Sequence, residues 1–110
     1  MPFVVHCIDR LDAGPLRQKT RAKHLEYMIA HSAHVDYGGP LQTDDGTKVV
    51  GSLMVLSFEN RDEVETFLAA EPYARAGLFD SLLVNRLRQM VPESSPGLLV
   101  RELERERAAV

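Results

Sequence analysis

The chain has no tryptophan, one cysteine and no surplus of basic residues, and each of these shortages excludes something. A lone thiol, Cys7, cannot close an internal disulfide, so packing and hydrogen bonding must hold the fold together. Thirteen Lys and Arg against sixteen Asp and Glu leave a formal charge of −3, whereas a polyanion binder needs clustered cations to displace counterions. Nucleic acid is therefore not an expected partner. No apolar run approaches the roughly 20 residues that cross a bilayer, and no basic start precedes an apolar leader. The expected location is the cytoplasm, away from membranes. Phosphate loops, flavin motifs and oxidant-handling cysteines are missing as well, so no cofactor is expected and any chemistry falls to side chains.

What is present is ordinary for a globular protein: 45% hydrophobic and 26% charged residues over 110 positions. That length suits one domain, which would bury roughly 65% of the surface of its unfolded chain. The run Phe3-Val4-Val5-His6-Cys7-Ile8 reads as a strand with both faces at least partly covered. Pro15 fits the first turn of a helix predicted over 15–33. Ala22, Leu25, Ile29 and Ala33 form a stripe expected to pack on a sheet, and Arg17, Arg21, His24, Met28 and His31 lie on a more polar one.

Val35-Asp36-Tyr37 predicts a short strand that Gly38-Gly39-Pro40 should end, and Thr43 to Thr47 around Asp45-Gly46 a hairpin tip. Residues 49–58 carry the longest strand signal and suggest a central position. Asn60 and Glu63 resemble a capping box for a helix over 61–70, buried through Val64, Phe67 and Leu68. Glu71-Pro72 should stop it, because the residue before proline is pushed out of the α region. One further turn ends at Gly77, and residues 80–90 give a last, partly exposed strand. The order is α+β, βαββαβ, over residues 1–91. Residues 92–110 form an extension, read as a linker, an edge strand at Leu98 to Val100 and a charged tail.

An imidazole moves protons near neutral pH, so His24 on the polar stripe is the first candidate for chemistry. A lone helical histidine is more often a pocket or contact residue, and that reading stays open. A carboxylate partner would fix its tautomer, and Glu71, Asp9 and Asp36 could serve. Gly38, Gly39 and Gly51 could offer backbone N–H groups to an oxyanion or only shape the strands; Ser52 could donate to the same group or bond local backbone. Tyr73 and Phe79 could wall a small ring or simply pack. Arg21 could hold a carboxylate or phenolate, or a surface acid. His24, His31 and His34 do not suit a metal: 24 and 31 stand about 10.5 Å apart along a helix, and no metal is expected. Cys7 reads as a small buried hydrophobe.

Arg21-Ala22-Lys23-His24-Leu25, Gly39-Pro40-Leu41, Gly51-Ser52 and Glu71-Pro72-Tyr73-Ala74-Arg75-Ala76-Gly77, in that order, resemble the YciI-like family of dimeric α+β barrel proteins over roughly residues 3–90. The resemblance implies a ferredoxin-like subunit whose open sheet face meets that of a second copy, and a pocket built around His24 with an acidic partner. In the family that acid is usually aspartate; here the position holds Glu71, one methylene longer. The same motifs draw Pro40 and Pro72 into the candidate substrate site. They imply cofactor-free isomerase or lyase chemistry, as in members that remove chloride from a hydroxylated aromatic and in the related muconolactone isomerases. The expected partners are a second copy of the chain and a small cyclic or aromatic molecule. The alternative is a dimeric binding or accessory module without turnover.

Overall fold

A computed structural model describes residues 1–109. Four strands, β1 (Phe3–Asp9), β2 (Val35–Gln42), β3 (Val49–Leu56) and β4 (Phe79–Arg86), form one antiparallel sheet in the order β2-β3-β1-β4. Helices α1 (Gly14–Ala30), α2 (Arg61–Ala70) and the single turn α3 (Pro72–Arg75) complete the βαββαβ order, and α4 (Leu98–Ala108) follows. This is the ferredoxin-like fold, with β3 inside the sheet as its apolar run predicts.

The pleat explains the core. Phe3, Val5 and Cys7 alternate on β1, Met54 and Leu56 on β3, and they bury against Val64, Phe67 and Leu68 of α2. Each large apolar side chain so buried contributes about 1.5–3 kcal/mol. Asn60 caps α2 by accepting the Glu63 N–H at 2.9 Å, and Asp62 and Glu63 suit the positive end of its dipole. Val4, His6 and Ile8 point to the opposite face of the sheet, which no helix covers among the described residues; there Tyr37 is 74% and Leu83 61% exposed.

Three local expectations give way. The expected apolar stripe of α1 points outward: Leu25 and Ile29 are exposed, while Thr20, His24, Tyr27 and Met28 turn inward. Tyr27 explains part of this, since its ring meets Phe67 and its hydroxyl donates to the Phe67 carbonyl at 2.7 Å. The helix stops at Ala30, and Ser32–His34 tighten into a 3₁₀ turn. Second, Gly38-Gly39-Pro40 do not end the strand; β2 runs through them to Gln42. An edge strand pairs on one side only, and an edge position tolerates a proline that lacks a donor.

Third, residues 98–108 form a helix rather than an edge strand and charged tail. Gly97 adopts φ 79° at its start, and the Glu93 carboxylate accepts the Leu99 N–H at 2.7 Å, supplying one first-turn donor with a partner. Val110, the end of the predicted extension, lies outside the described residues. Among the described residues, no helix is long and apolar enough to cross a membrane.

Candidate functional site

Because α1 turns a polar stripe inward and no helix covers β2, a cleft of about 540 Å³ opens between α1 and the β2-β3 hairpin. Arg17, Arg21 and His24 line one wall, Gly39, Pro40, Ser52 and Met54 the other, and Tyr73 and Phe79 close an end. The size is that of a small-molecule site.

Glu71 has no solvent exposure. Pro72 holds it extended, at φ −68° and ψ 125°, at the junction of α2 and α3, so its side chain turns back over the next turn. Its Oε2 accepts the Ala74 N–H at 2.9 Å as the cap of α3, and its Oε1 lies 2.6 Å from His24 Nδ1. The two carboxylate oxygens of Glu71 therefore serve two contacts at once. His24 lies parallel to the Tyr73 ring, with centroids 4.0 Å apart and planes 17° from coincidence. Ring position is thus set by a carboxylate at one nitrogen and by an aromatic face. Among the described residues, His24 Nε2 has no protein hydrogen-bond partner.

A second network stands beside it. Arg17 donates through Nε and Nη2 to the two oxygens of Asp9, both at 2.9 Å, the forked geometry that suits guanidinium and carboxylate. Nη2 also reaches the Gly51 carbonyl at 3.0 Å and Ser52 Oγ at 2.9 Å. Burial works against the Arg17 charge, but the hydrogen bonds and proximity of Asp9 outweigh it and raise the pKa. The guanidinium carbon sits 4.6 Å from the Tyr73 ring centroid, a cation–π contact. Burial raises the Tyr73 phenol, with the Arg17 charge pulling the other way. Gly51 is required here: a Cβ at that position would collide with the Cys7 carbonyl oxygen. Cys7 lies behind, its thiol pushed up to about 12, first by burial and then by Glu71 and Asp9.

His24, Glu71, Arg21, Gly39, Pro40, Ser52, Tyr73 and Phe79 all face the cavity. Gly51 stands just behind, offering Arg17 its carbonyl rather than an N–H to a ligand. Asp9 is behind Arg17 and contacts it, not His24. Asp36 is exposed and outside the cavity wall, and Pro72 serves as the first residue of α3. Arg17 itself did not stand out as a site residue in the sequence. The signal was available, since positions 17, 21 and 24 recur at helical spacing on one stripe. His31 and His34 lie elsewhere, stacked on Tyr27 and Phe58, and no group of three His, Cys, Asp or Glu among the described residues could hold a metal.

The cavity thus gathers three basic or protonatable groups, while its one acid has both oxygens engaged. That balance favours an electron-rich or anionic small molecule. Among solved structures, the chain is similar to 5-chloro-2-hydroxyhydroquinone dehydrochlorinase (TftG) from Burkholderia phenoliruptrix AC1100, in complex with 2,5-dihydroxybenzoquinone. The two share 28% identity with a TM-score of 0.77, over 86% of this chain and 100% of that one. Looser likenesses are Rv0793 from Mycobacterium tuberculosis, at 10% identity and TM-score 0.49 over 82% of this chain and 96% of that one, and At3g17210 from Arabidopsis thaliana, at 12% and 0.45 over 81% and 94%. No curated protein matches the chain by sequence. The model of the YCII-related domain matches residues 1–88, and with the ferredoxin-like topology already described, the chain belongs to that family.

Proposed function

We propose that the protein is a cytoplasmic, homodimeric acid/base enzyme, an isomerase or a lyase of the dehydrochlorinase type, acting on a small cyclic or hydroxylated aromatic molecule without a cofactor. The observation that carries this reading is the 2.6 Å contact of His24 Nδ1 with buried Glu71 on the wall of a cavity of about 540 Å³. Glu71 accepts the Nδ1 proton, which leaves the Nε2 lone pair for the substrate. In an elimination, the hydroxylated ring takes its keto form with a proton at the halogen-bearing carbon; Nε2 then takes the proton of a remaining ring hydroxyl, whose O–H electrons form a carbonyl as the carbon–halogen bond breaks with its electron pair and halide leaves. The ring loses the elements of HX, and no external oxidant is needed. In an isomerisation the same nitrogen returns the proton at another carbon.

Arg17 and Arg21 stabilise the phenolate or enolate that forms, and Asp9 positions Arg17 rather than touching the substrate. Tyr73 and Phe79 hold the ring. TftG, a dehydrochlorinase of a chlorinated hydroxyhydroquinone that binds 2,5-dihydroxybenzoquinone, supports this substrate class. The homodimer is supported by the uncovered apolar sheet face, since an exposed patch of this kind marks an interaction surface.

Replacing His24 by asparagine tests the reading. Release of chloride from 5-chloro-2-hydroxyhydroquinone, or turnover of a lactone, should fall by about 10²–10⁴-fold while the fold persists by circular dichroism. Turnover by wild type and variant at the same rate would assign the cavity to binding alone.

A further inference from the structure

The family match ends at residue 88, and α4 begins ten positions later, so the helix is an addition to the domain. It also stands apart from it. The radius of gyration is 16.9 Å and the longest extent 54 Å, against about 13 Å expected for a compact chain of this length. Among the described residues, the side-chain hydrogen bonds of α4 go to its own turns and to residues 88–97: Glu102 accepts from Arg88 at 2.6 Å, and Arg101 donates to the Pro96 carbonyl and Ser95 Oγ. The polar contacts of the helix therefore reach the linker, while the βαββαβ body leaves it uncovered.

An eleven-residue helix is marginal in water unless an apolar face is packed. Such a face exists, with Leu99 43%, Val100 59% and Leu103 47% exposed at spacings that share one side. The charges around it choose among occupants. Arg101, Arg105 and Arg107 are balanced by Glu102, Glu104 and Glu106, with opposite signs within each turn. A polyanion or an anionic membrane surface would need an excess of arginine. A helix with no net charge and interleaved signs is instead complementary to itself.

We propose that α4 is an arm that docks on a second copy of this chain, its Leu99, Val100 and Leu103 face packing against that copy. The arm is joined to β4, whose Leu83 belongs to the uncovered sheet face, by the linker of residues 87–97, so one segment of chain carries both apolar surfaces. The inference rests on the homodimer reading only in naming the occupant.

The test uses the full chain across roughly three decades of concentration. Amide exchange over residues 98–108 should slow as dimer forms by analytical ultracentrifugation. The double variant Leu99→Glu/Leu103→Glu should raise the dimer dissociation constant at least about tenfold without shifting the melting of the body. Leu83→Glu probes the sheet face separately. Fast exchange in the dimer, or an unchanged constant in the arm variant while Leu83→Glu dissociates it, would overturn the arm and leave the homodimer standing. Protection already present in a monomer would assign the face to its own chain and overturn the arm as well. A monomer at every concentration would overturn both.

Discussion

Glutamine at position 71 separates the two duties of Glu71 with minimal change of shape. The carboxamide oxygen can still accept the Ala74 N–H, now 2.9 Å from Oε2, so the cap of α3 survives. What changes is the group opposite His24 Nδ1. A carboxylate only accepts, whereas the amide nitrogen only donates, so Nδ1 must become the acceptor and the proton moves to Nε2. A charge-assisted hydrogen bond worth about 1.5–3 kcal/mol becomes a neutral one of about 0.5–1.5, a net loss near 1 kcal/mol. For a domain of this size the melting temperature should fall by roughly 4–8 °C. Turnover should fall much further, by about 10²–10⁴-fold, because a base whose lone pair faces the wrong way cannot take the proton. Nitrogen-15 spectra of the ring would report the tautomer directly, and chloride release or lactone turnover the rate. Turnover within about threefold of wild type, or a ring still protonated at Nδ1 in the variant, would refute the orienting role.

Breaking the Asp9–Arg17 pair by Asp9→Asn leaves a largely buried guanidinium short of its charge partner; a loss of about 2–4 kcal/mol should appear in urea unfolding, with a smaller loss in the double variant Asp9→Asn/Arg17→Met. Cys7 should resist iodoacetamide at pH 8 in the folded protein and react at once in denaturant. Its folded pKa of about 12 stands above the ordinary thiol value, so this contribution to stability holds below the unfolded value and fades as pH rises through 12. Asp45 at the hairpin tip, whose carboxylate accepts from Thr43 and Thr47, should titrate near 2 in carbon-13 spectra. Lowered below its ordinary value, it favours the fold above that value and loses this effect as pH falls toward 2. A midpoint near 3.8 would mean that the tip is not held by these bonds.

The sequence made the strand and helix order readable because the signals were local: the Asp45-Gly46 turn, the Asn60 cap, the Glu71-Pro72 stop. Faces were harder. Leu25 and Ile29 look like a core stripe by period alone, yet α1 turns them out because Tyr27 finds Phe67 and His24 finds Glu71, partners 40 and 47 positions away. Pro40 reads as a strand breaker unless its strand is known to be an edge, which is a fact about the sheet and not about the segment. The carboxylate choice for His24 was undecidable for a similar reason: Glu71, Asp9 and Asp36 are equivalent in a sequence, and only the closed fold brings Asp9 to Arg17 and leaves Asp36 outside. For α4, the interleaved charges suggest a solvated tail, and the cue to a helix is the glycine at its start, Gly97.

Arg17 gives the cleft a property beyond charge. One guanidinium grips the last residue of β1 through Asp9 and two consecutive residues of β3 through the Gly51 carbonyl and Ser52 hydroxyl, while its own backbone belongs to α1. A slip of β3 against β1 by a single residue would turn Ser52 to the other face and empty that grip. The side chain therefore acts as a gauge of strand alignment: the cleft is complete only in a chain whose central strands have paired correctly, and a misaligned chain would fold with its arginine unmoored and that wall of the cleft incomplete.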